Sequence, residues 1–529
     1  MKRRGEGDRL GWVGWATLVT ALLSGILAPA AAAEPVGRVE HFPTRCGVGE
    51  LAAGPDGNVW FGCYRETAPD KGRPLVGRIT PAGQVSEFAL PPKVAVDDLV
   101  AGPDGNVWFT YSAGFAFGPP TPGYRSAIGR ITPTGKVTVF RDGLRARSVP
   151  GEIIAGPEGA LWFTDAGSPP EIGRITTQGT ITEFPTGIKE PLGLGGIAAG
   201  PEGNVWFSQV FVLPHGDGEP GALAGRLTPS GEVTGFGVPP AFGTPVAGPG
   251  GATWFIDATG EGTIDRVTPS GEFTRFAADS VAAPRHLVAG PDGNLWFSGP
   301  GAIGRVTPTG EITQFDHCLK YRRAFSEPST IVSGPGGDLW FTSVTSRETP
   351  AMEEAPTIGR VTPAGEITQF RAGVGLEPRT IAAGPDGRVY FSGGNEEIER
   401  ITPPQAPVNT FVFLPGRVSA GGVAEIVPEL PGAGTVRLRR AALLLPHKRT
   451  IELRGAAAAR GPVADCGPRP LRVRLRGAAR RLQRREGTVR VKVTATFTPT
   501  GGSPDTETAV TLLRGKPTPA RGATTIRGR

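Results

Sequence analysis

The feature that most constrains this chain is a nine-residue phrase, Ala-Gly-Pro-Asp-Gly-Asn-Val-Trp-Phe, found at 53–61 and 101–109. Variants recur with their glycine at Gly156, Gly200, Gly248, Gly290, Gly334 and Gly384, giving eight copies at intervals of 42 to 54 residues. A second phrase follows, Ile-Gly-Arg-Ile/Val-Thr-Pro-x-Gly-x-Ile-Thr-x-Phe, complete at 303–315 and 358–370. Self-similarity at such a period marks a repeat architecture in which each unit buries its apolar faces against its neighbours. Gly 80 and Pro 54 make up about a quarter of the 529 residues, a share that low-complexity chains also reach. Here they fall on a fixed period, which excludes disorder over most of the length. Met 2 and the scarcity of Leu-rich heptads argue against a helical bundle.

Turn chemistry converts the phrases into strands. In Gly54-Pro55-Asp56-Gly57 the proline presets the first turn dihedral and Gly57 takes the left-handed position that follows. Thr80-Pro81-Ala82-Gly83 repeats that grammar. Between the turns run short segments such as Val59-Trp60-Phe61, apolar on both faces, as a strand sandwiched between neighbouring sheets requires. Each repeat therefore reads as four antiparallel strands, and residues 34–404 as an all-β, eight-bladed (alternatively seven-bladed) β-propeller. Gly37 to Phe42 is an outermost strand without its blade, and Ile398 to Pro403 ends a blade that lacks one. The two fragments complete each other, so the N-terminal strand is expected to close the ring and remove the exposed edge. The repeated Trp series and the repeated arginines, Arg78 to Arg400, read as packing, since a residue present in every blade does the same job each time.

Residues 1–33 carry Lys2, Arg3, Arg4 and Arg9, an apolar run from Leu10 to Leu27 and an Ala31-Ala32-Ala33 exit, the layout of a secretory signal peptide. Secretion or residence in the cell envelope follows as an expectation. In that oxidising setting Cys46 and Cys63, which flank one hairpin, are expected to form a disulfide worth roughly 3 kcal/mol, with Cys318 and Cys466 left free. Residues 405–529 hold 23 Lys+Arg against 7 Asp+Glu, a net of +16, while 34–404 holds 29 against 40, a net of −11. Past Pro404 the repeat stops. Leu471 to Arg476 and Val489 to Val493 alternate apolar with basic, so 405–514 reads as a basic immunoglobulin-like β-sandwich and 515–529 as a disordered tail. Its charge suits an anionic envelope polymer better than nucleic acid.

The tight turns recur in every repeat, whereas the links on the opposite face vary, the longest being in blades 1, 2, 4 and 7. That loop-rich rim is where a ligand is expected. Residues at the start of the inner strands place Glu50, Asp97, Asp98 and Glu152 there, and strand exits add Asp165 and Asp257. Such carboxylates suit Mg²⁺ or Ca²⁺. Arg285 and Arg379 are candidates for anion binding, and His286 for a general base. No CxxC or HExxH spacing supports zinc.

The segments Leu295 to Phe315 and Leu339 to Phe370 resemble the streptogramin lyases, also called virginiamycin B lyases, and the resemblance extends over about 34–404. It implies a propeller, usually of seven blades, that linearises a cyclic depsipeptide antibiotic by magnesium-dependent carbon–oxygen elimination with a histidine base. The family's histidines lie in a Pro-His-x-Ile phrase. Here the matching phrases are Pro284-Arg285-His286-Leu287 and Pro378-Arg379-Thr380-Ile381, with arginine at the histidine position and His286 one residue later. Two functions stay open: a monomeric exported module recognising a peptide, glycan or envelope polymer, and a metal-dependent lyase.

Overall fold

The computed structural model describes residues 39–515 apart from 65–73, 91–94, 113–125, 188–190, 213–219, 239–242, 257–261, 278–283, 301, 316–325, 346–356, 372–377, 394–395, 404–411, 420, 430–433, 446–449, 454–470 and 500–503. The leader at 1–33, Cys318, Cys466, Asp257, most of the expected tail and the long links at 65–73, 113–125, 213–219 and 346–356 lie outside the described residues.

The described repeat region is all-β and forms eight four-stranded antiparallel sheets, arranged as in a β-propeller. The first strands of the sheets are Gly47–Ala53, Ala95–Ala101, Pro150–Ala155, Pro191–Ala199, Val246–Ala247, His286–Ala289, Ser326–Ser333 and Thr380–Ala383. Each lies against the first strand of the next sheet, and Thr380–Ala383 lies against Gly47–Ala53. These are therefore the inner strands. The eighth sheet borrows its outer strand from the chain's beginning: Val39–Pro43 pairs with Glu397–Ile401, Val39 opposite Ile401 and Pro43 opposite Glu397.

The repeated residues explain why the sheets stack. The second-strand tryptophan is fully buried in seven sheets, with Tyr390 in the eighth. It stacks on the outer-strand phenylalanine of its own sheet, for example Trp108 on Phe140 with centroids 5.3 Å apart. The repeated arginine sits over both rings, Arg130 at 5.4 Å from each. Its guanidinium then reaches the Thr-Pro turn of the following sheet: Arg78 donates to Pro133 O at 2.6 Å, Arg226 to Pro269 O at 2.6 Å and Arg266 to Pro308 O at 2.9 Å. Arg400 of the eighth sheet donates to Pro81 O of the first at 2.7 Å, the same bond across the seam. In six of the sheets a glycine precedes this arginine and is a close approach: a Cβ on Gly77 or Gly129 would collide with the ring of Phe61 or Phe109.

One repeated bond is made in some sheets and missing in others, and a single residue decides it. Where the turn reads Pro-Asp-Gly-Asn, the aspartate accepts the indole N–H: Trp60 to Asp56 at 3.0 Å, Trp108 to Asp104 at 2.9 Å and Trp296 to Asp292 at 3.0 Å. The same carboxylate accepts the asparagine backbone and side-chain N–H groups, which fixes the turn. Where glutamate or glycine replaces it, that residue adopts a left-handed conformation, as at Glu158 (φ 57°), Glu202 (φ 60°), Gly250 and Gly336. Nothing then reaches the indoles of Trp162, Trp206, Trp254 and Trp340, whose Nε1 atoms are buried without a hydrogen-bond partner.

The described C-terminal region is built of β-strands and one helix. Its described strands join edge to edge in one seven-stranded sheet, in the order Thr450–Glu452, Gly434–Leu444, Thr488–Pro499, Asp505–Arg514, Val412–Val418, Val423–Glu429, Leu471–Arg474. A parallel pairing of Val412–Val418 with Asp505–Arg514 bridges what would have been two facing sheets. The alternation does set the faces: Leu471, Val473 and Leu475 are buried while Arg472, Arg474 and Arg476 are exposed. One core draws on strands from both halves of the sheet, Leu443 and Val473 included, so the sheet curls around it. A helix at Gly477–Glu486, not expected from the sequence, adds Ala479 to that core and ends at Gly487, whose N–H bonds Gln483 O.

Candidate functional site in the channel

A bulge in the inner strands sets the geometry of the site. In the second sheet Val96 opposes Tyr111 and Asp98 opposes Thr110, leaving Asp97 as the extra residue. In the first and third sheets Gly49 with Glu50, and Gly151 with Glu152, likewise oppose a single partner residue. The sixth and eighth do the same at their first residues. Arg285 N donates to Ser298 O at 2.7 Å while His286 is the residue paired with Ser298, and Arg379 N donates to Ser392 O at 2.8 Å beside the Thr380–Ser392 pair. A bulge breaks strict alternation and re-aims a side chain. In these sheets two consecutive inner-strand residues share one partner residue of the second strand. His286, shifted by one from the family's histidine position, is not turned away: both it and Arg285 are exposed.

The second residue of each bulge stands four before the glycine of the Ala-Gly-Pro phrase, which gives Glu50, Asp98, Glu152, Gly196, Thr244, His286, Thr330 and Thr380 in chain order. Most of these side chains reach the backbone of the following sheet. Asp98 Oδ2 accepts Ile153 N–H at 2.8 Å and Glu152 Oε2 accepts Ile197 N–H at 3.2 Å. His286 bonds the Ile331 backbone. Thr330 Oγ1 donates to Arg379 O and Thr380 Oγ1 to Gly49 O, each at 3.0 Å. The threonines at this level were missed in the sequence because they are chemically plain. Counting back the fixed offset from each glycine would have found them.

The electrostatics divide this ring. Burial pushes the Asp98 carboxyl up to about 7, with Glu152 and Glu50 adding repulsion, and pushes Glu152 up to about 7, again with repulsion from Glu50. Burial raises Asp97 to about 6 against two hydrogen bonds from Ser112, and raises Glu50 as well. On the other arc, the protein around His286 lowers its pKa, favouring the neutral imidazole, while the bond to Ile331 opposes that shift. A carboxyl with a raised folded pKa holds its proton where the unfolded chain has lost it. Stability is then greatest below the unfolded values near 4 and falls as pH rises towards about 7. The melting temperature is accordingly expected to fall between pH 5 and pH 7.5 at constant ionic strength, and Asp98→Asn to flatten that slope.

Of the expected metal candidates, Asp257 lies outside the described residues. Asp165 is fully buried and turned from the channel: it accepts Ser148 Oγ at 2.5 Å, Val149 N–H at 2.6 Å and Gly167 N–H at 2.8 Å, fastening the loop before its own inner strand. Glu183, pushed up to about 7 by burial and by its hydrogen bond to Asp165, completes a local network with Arg145 and Glu171. Among the described residues Asp97, Asp98 and Glu152 form no group of three ligand atoms close enough to share one ion. Cys46 and Cys63 are joined by a disulfide, their Cα atoms 5.6 Å apart.

Two solved structures are similar to this chain at 23% identity. A streptogramin B lyase has a TM-score of 0.44, covering 69% of this chain and 96% of its own. A catalytically inactive virginiamycin B lyase from Staphylococcus aureus with quinupristin has a TM-score of 0.43, covering 69% and 99%. The extracellular domain of a hybrid two component system from B. thetaiotaomicron is similar at 12% identity and a TM-score of 0.29, covering 90% and 76%. No curated protein matches the sequence. No helix among the described residues is long and apolar enough to cross a membrane. The model of the virginiamycin B lyase family matches residues 15–239, 120–346 and 247–420, overlapping spans that take in well over half the length, and this chain is a member of that family.

Proposed function

We propose that the eight sheets are the blades of one closed ring and that the protein is an exported recognition module whose channel mouth takes a peptide-like ligand. The observation that carries this reading is the bulge shared by inner strands, which sets acidic residues at the starts of some blades and basic residues at the starts of others. Glu50, Asp97, Asp98 and Glu152 line one arc. Arg285, His286 and Arg379 stand exposed on blades six and eight. A ligand bearing a cationic group and a carbonyl or carboxylate meets complementary partners on both arcs. The basic C-terminal sheet, with Arg472, Arg474, Arg490 and Lys492 exposed, is proposed to hold an anionic envelope polymer.

A second reading is favoured by one observation: His286 stands exposed beside Arg285, one residue from the family's histidine position, where an imidazole can accept a proton. In that reading His286 removes a proton from a cyclic depsipeptide, the electron pair forms a carbon–carbon double bond, and the ester carboxylate leaves. Incubation with a streptogramin depsipeptide, with and without Mg²⁺, separates the readings. Elimination opens the ring with no change in mass, whereas hydrolysis adds one water. Saturable binding with no product, weakened at least roughly tenfold in Glu152→Gln and Arg379→Ala, supports recognition. Ring opening abolished in His286→Ala establishes the lyase. Neither binding nor turnover overturns both.

A further inference from the structure

The strand pairing that closes the ring carries a cluster which the channel does not use. His41 on the N-terminal strand stands opposite Glu399, and Glu397 lies on the same face of the partner strand, two residues before. His41 Nδ1 is 3.5 Å from Glu397 Oε2 and 3.9 Å from Glu399 Oε1. One ligand atom from each of the three lies within 4.8 Å of the others. Among the described residues no other trio of His, Cys, Asp or Glu is so placed.

Glu399 occupies the position that glycine holds in six other sheets, directly before the repeated arginine. The fifth sheet shows what a carboxylate needs there. Asp265, fully buried at that position, receives two bonds of 2.8 Å from Arg275, which pairs with it across the sheet. In the eighth sheet the residue across from the acid is His41, which offers a single nitrogen at a longer distance. Glu399 is also fully buried, yet neither carboxylate oxygen has a hydrogen-bond partner. A buried carboxylate without partners is costly unless something compensates it. His41 and Glu397 are each 43% exposed, so two of the three groups meet solvent.

From this geometry we infer that His41, Glu397 and Glu399 form a divalent transition-metal site that staples the N-terminal strand to the last sheet. One imidazole and two carboxylates are the donor set that suits Zn²⁺, and the exposed side leaves room for water as a further ligand. The ion supplies the positive charge that Arg275 supplies in the fifth sheet. Because one ligand comes from the first strand and two from the last, bound metal strengthens closure.

The test is Zn²⁺ titration of the full-length chain, stripped with chelator, followed by calorimetry and thermal melting. One equivalent is expected to bind and to raise the melting temperature by about 3 °C at a hundredfold excess over Kd. His41→Ala, an exposed position that should leave folding intact, and Glu399→Gln are each expected to weaken that equivalent at least roughly tenfold. His286→Ala in the channel is expected to leave it unchanged. Stoichiometric binding that survives His41→Ala, or absence of binding to the unmutated chain, would overturn the site. Loss of binding in His286→Ala with retention in His41→Ala would place the ion in the channel and overturn it equally.

Discussion

A chain lacking residues 37–43 is expected to melt roughly 10 °C lower than the intact protein and with reduced cooperativity. The removed strand contributes a run of cross-strand pairs and the Phe42 ring, which lies 4.8 Å from the Arg400 guanidinium. It also contributes Glu40, whose Oε2 accepts two bonds from Arg400 at 3.0 and 2.9 Å. Arg400 is only 4% exposed. Stripping the partner from a buried charge costs about 3–5 kcal/mol, and losing several ladder hydrogen bonds at about 1 kcal/mol each brings the sum to roughly 8 kcal/mol. An unfolding entropy of about 2.1 cal/mol/K per residue over this ring converts that to the stated shift. Glu40→Ala alone is expected to produce about half of it. Unchanged melting of the truncated chain would mean that the seam does not hold the ring.

The second large effect is expected inside a single blade. Trp108→Ala removes a fully buried ring stacked on Phe140 and capped by Arg130, and should cost about 3–5 kcal/mol in denaturant unfolding. The more discriminating comparison is with phenylalanine. Trp108→Phe deprives Asp104 of the indole N–H it accepts at 2.9 Å. Trp206→Phe deletes an Nε1 that is buried without a hydrogen-bond partner. The first should therefore cost more than the second by about 1–3 kcal/mol, although the two rings do the same packing. Equal costs would show that the Asp turn does nothing for its tryptophan.

Much of the architecture was readable because it is written eight times. The Trp and Arg series, the two tight turns, the spare outer strand at the N-terminal end and the blade that lacks one at the C-terminal end all follow from periodicity, and each has a physical partner in the sheets. The bulge was not readable in the same way. Strict alternation puts Arg285 and His286 on opposite faces, and only the backbone bond from Arg285 to Ser298 marks the irregularity at which both are exposed. Asp165 looked like a rim carboxylate because the sequence gives no sign that Ser148 and Val149 fold back onto it. In the C-terminal region the alternation gave the right faces, but strand order depends on a parallel pairing between segments nearly a hundred residues apart. The cluster at the seam was hidden for the same reason: His41 and Glu399 are neighbours only once the ring has shut.

That the earliest strand is finished by the latest one also fixes an order of events. Val39–Pro43 leaves the ribosome first but meets Glu397–Ile401 only after nearly all of the repeat region has been made. Intermediate lengths of chain carry two open edges, one at each extremity, available to other chains while synthesis or translocation continues. Each earlier sheet is built from local hairpins and can form on emergence, whereas the final pairing spans most of the molecule and must come last.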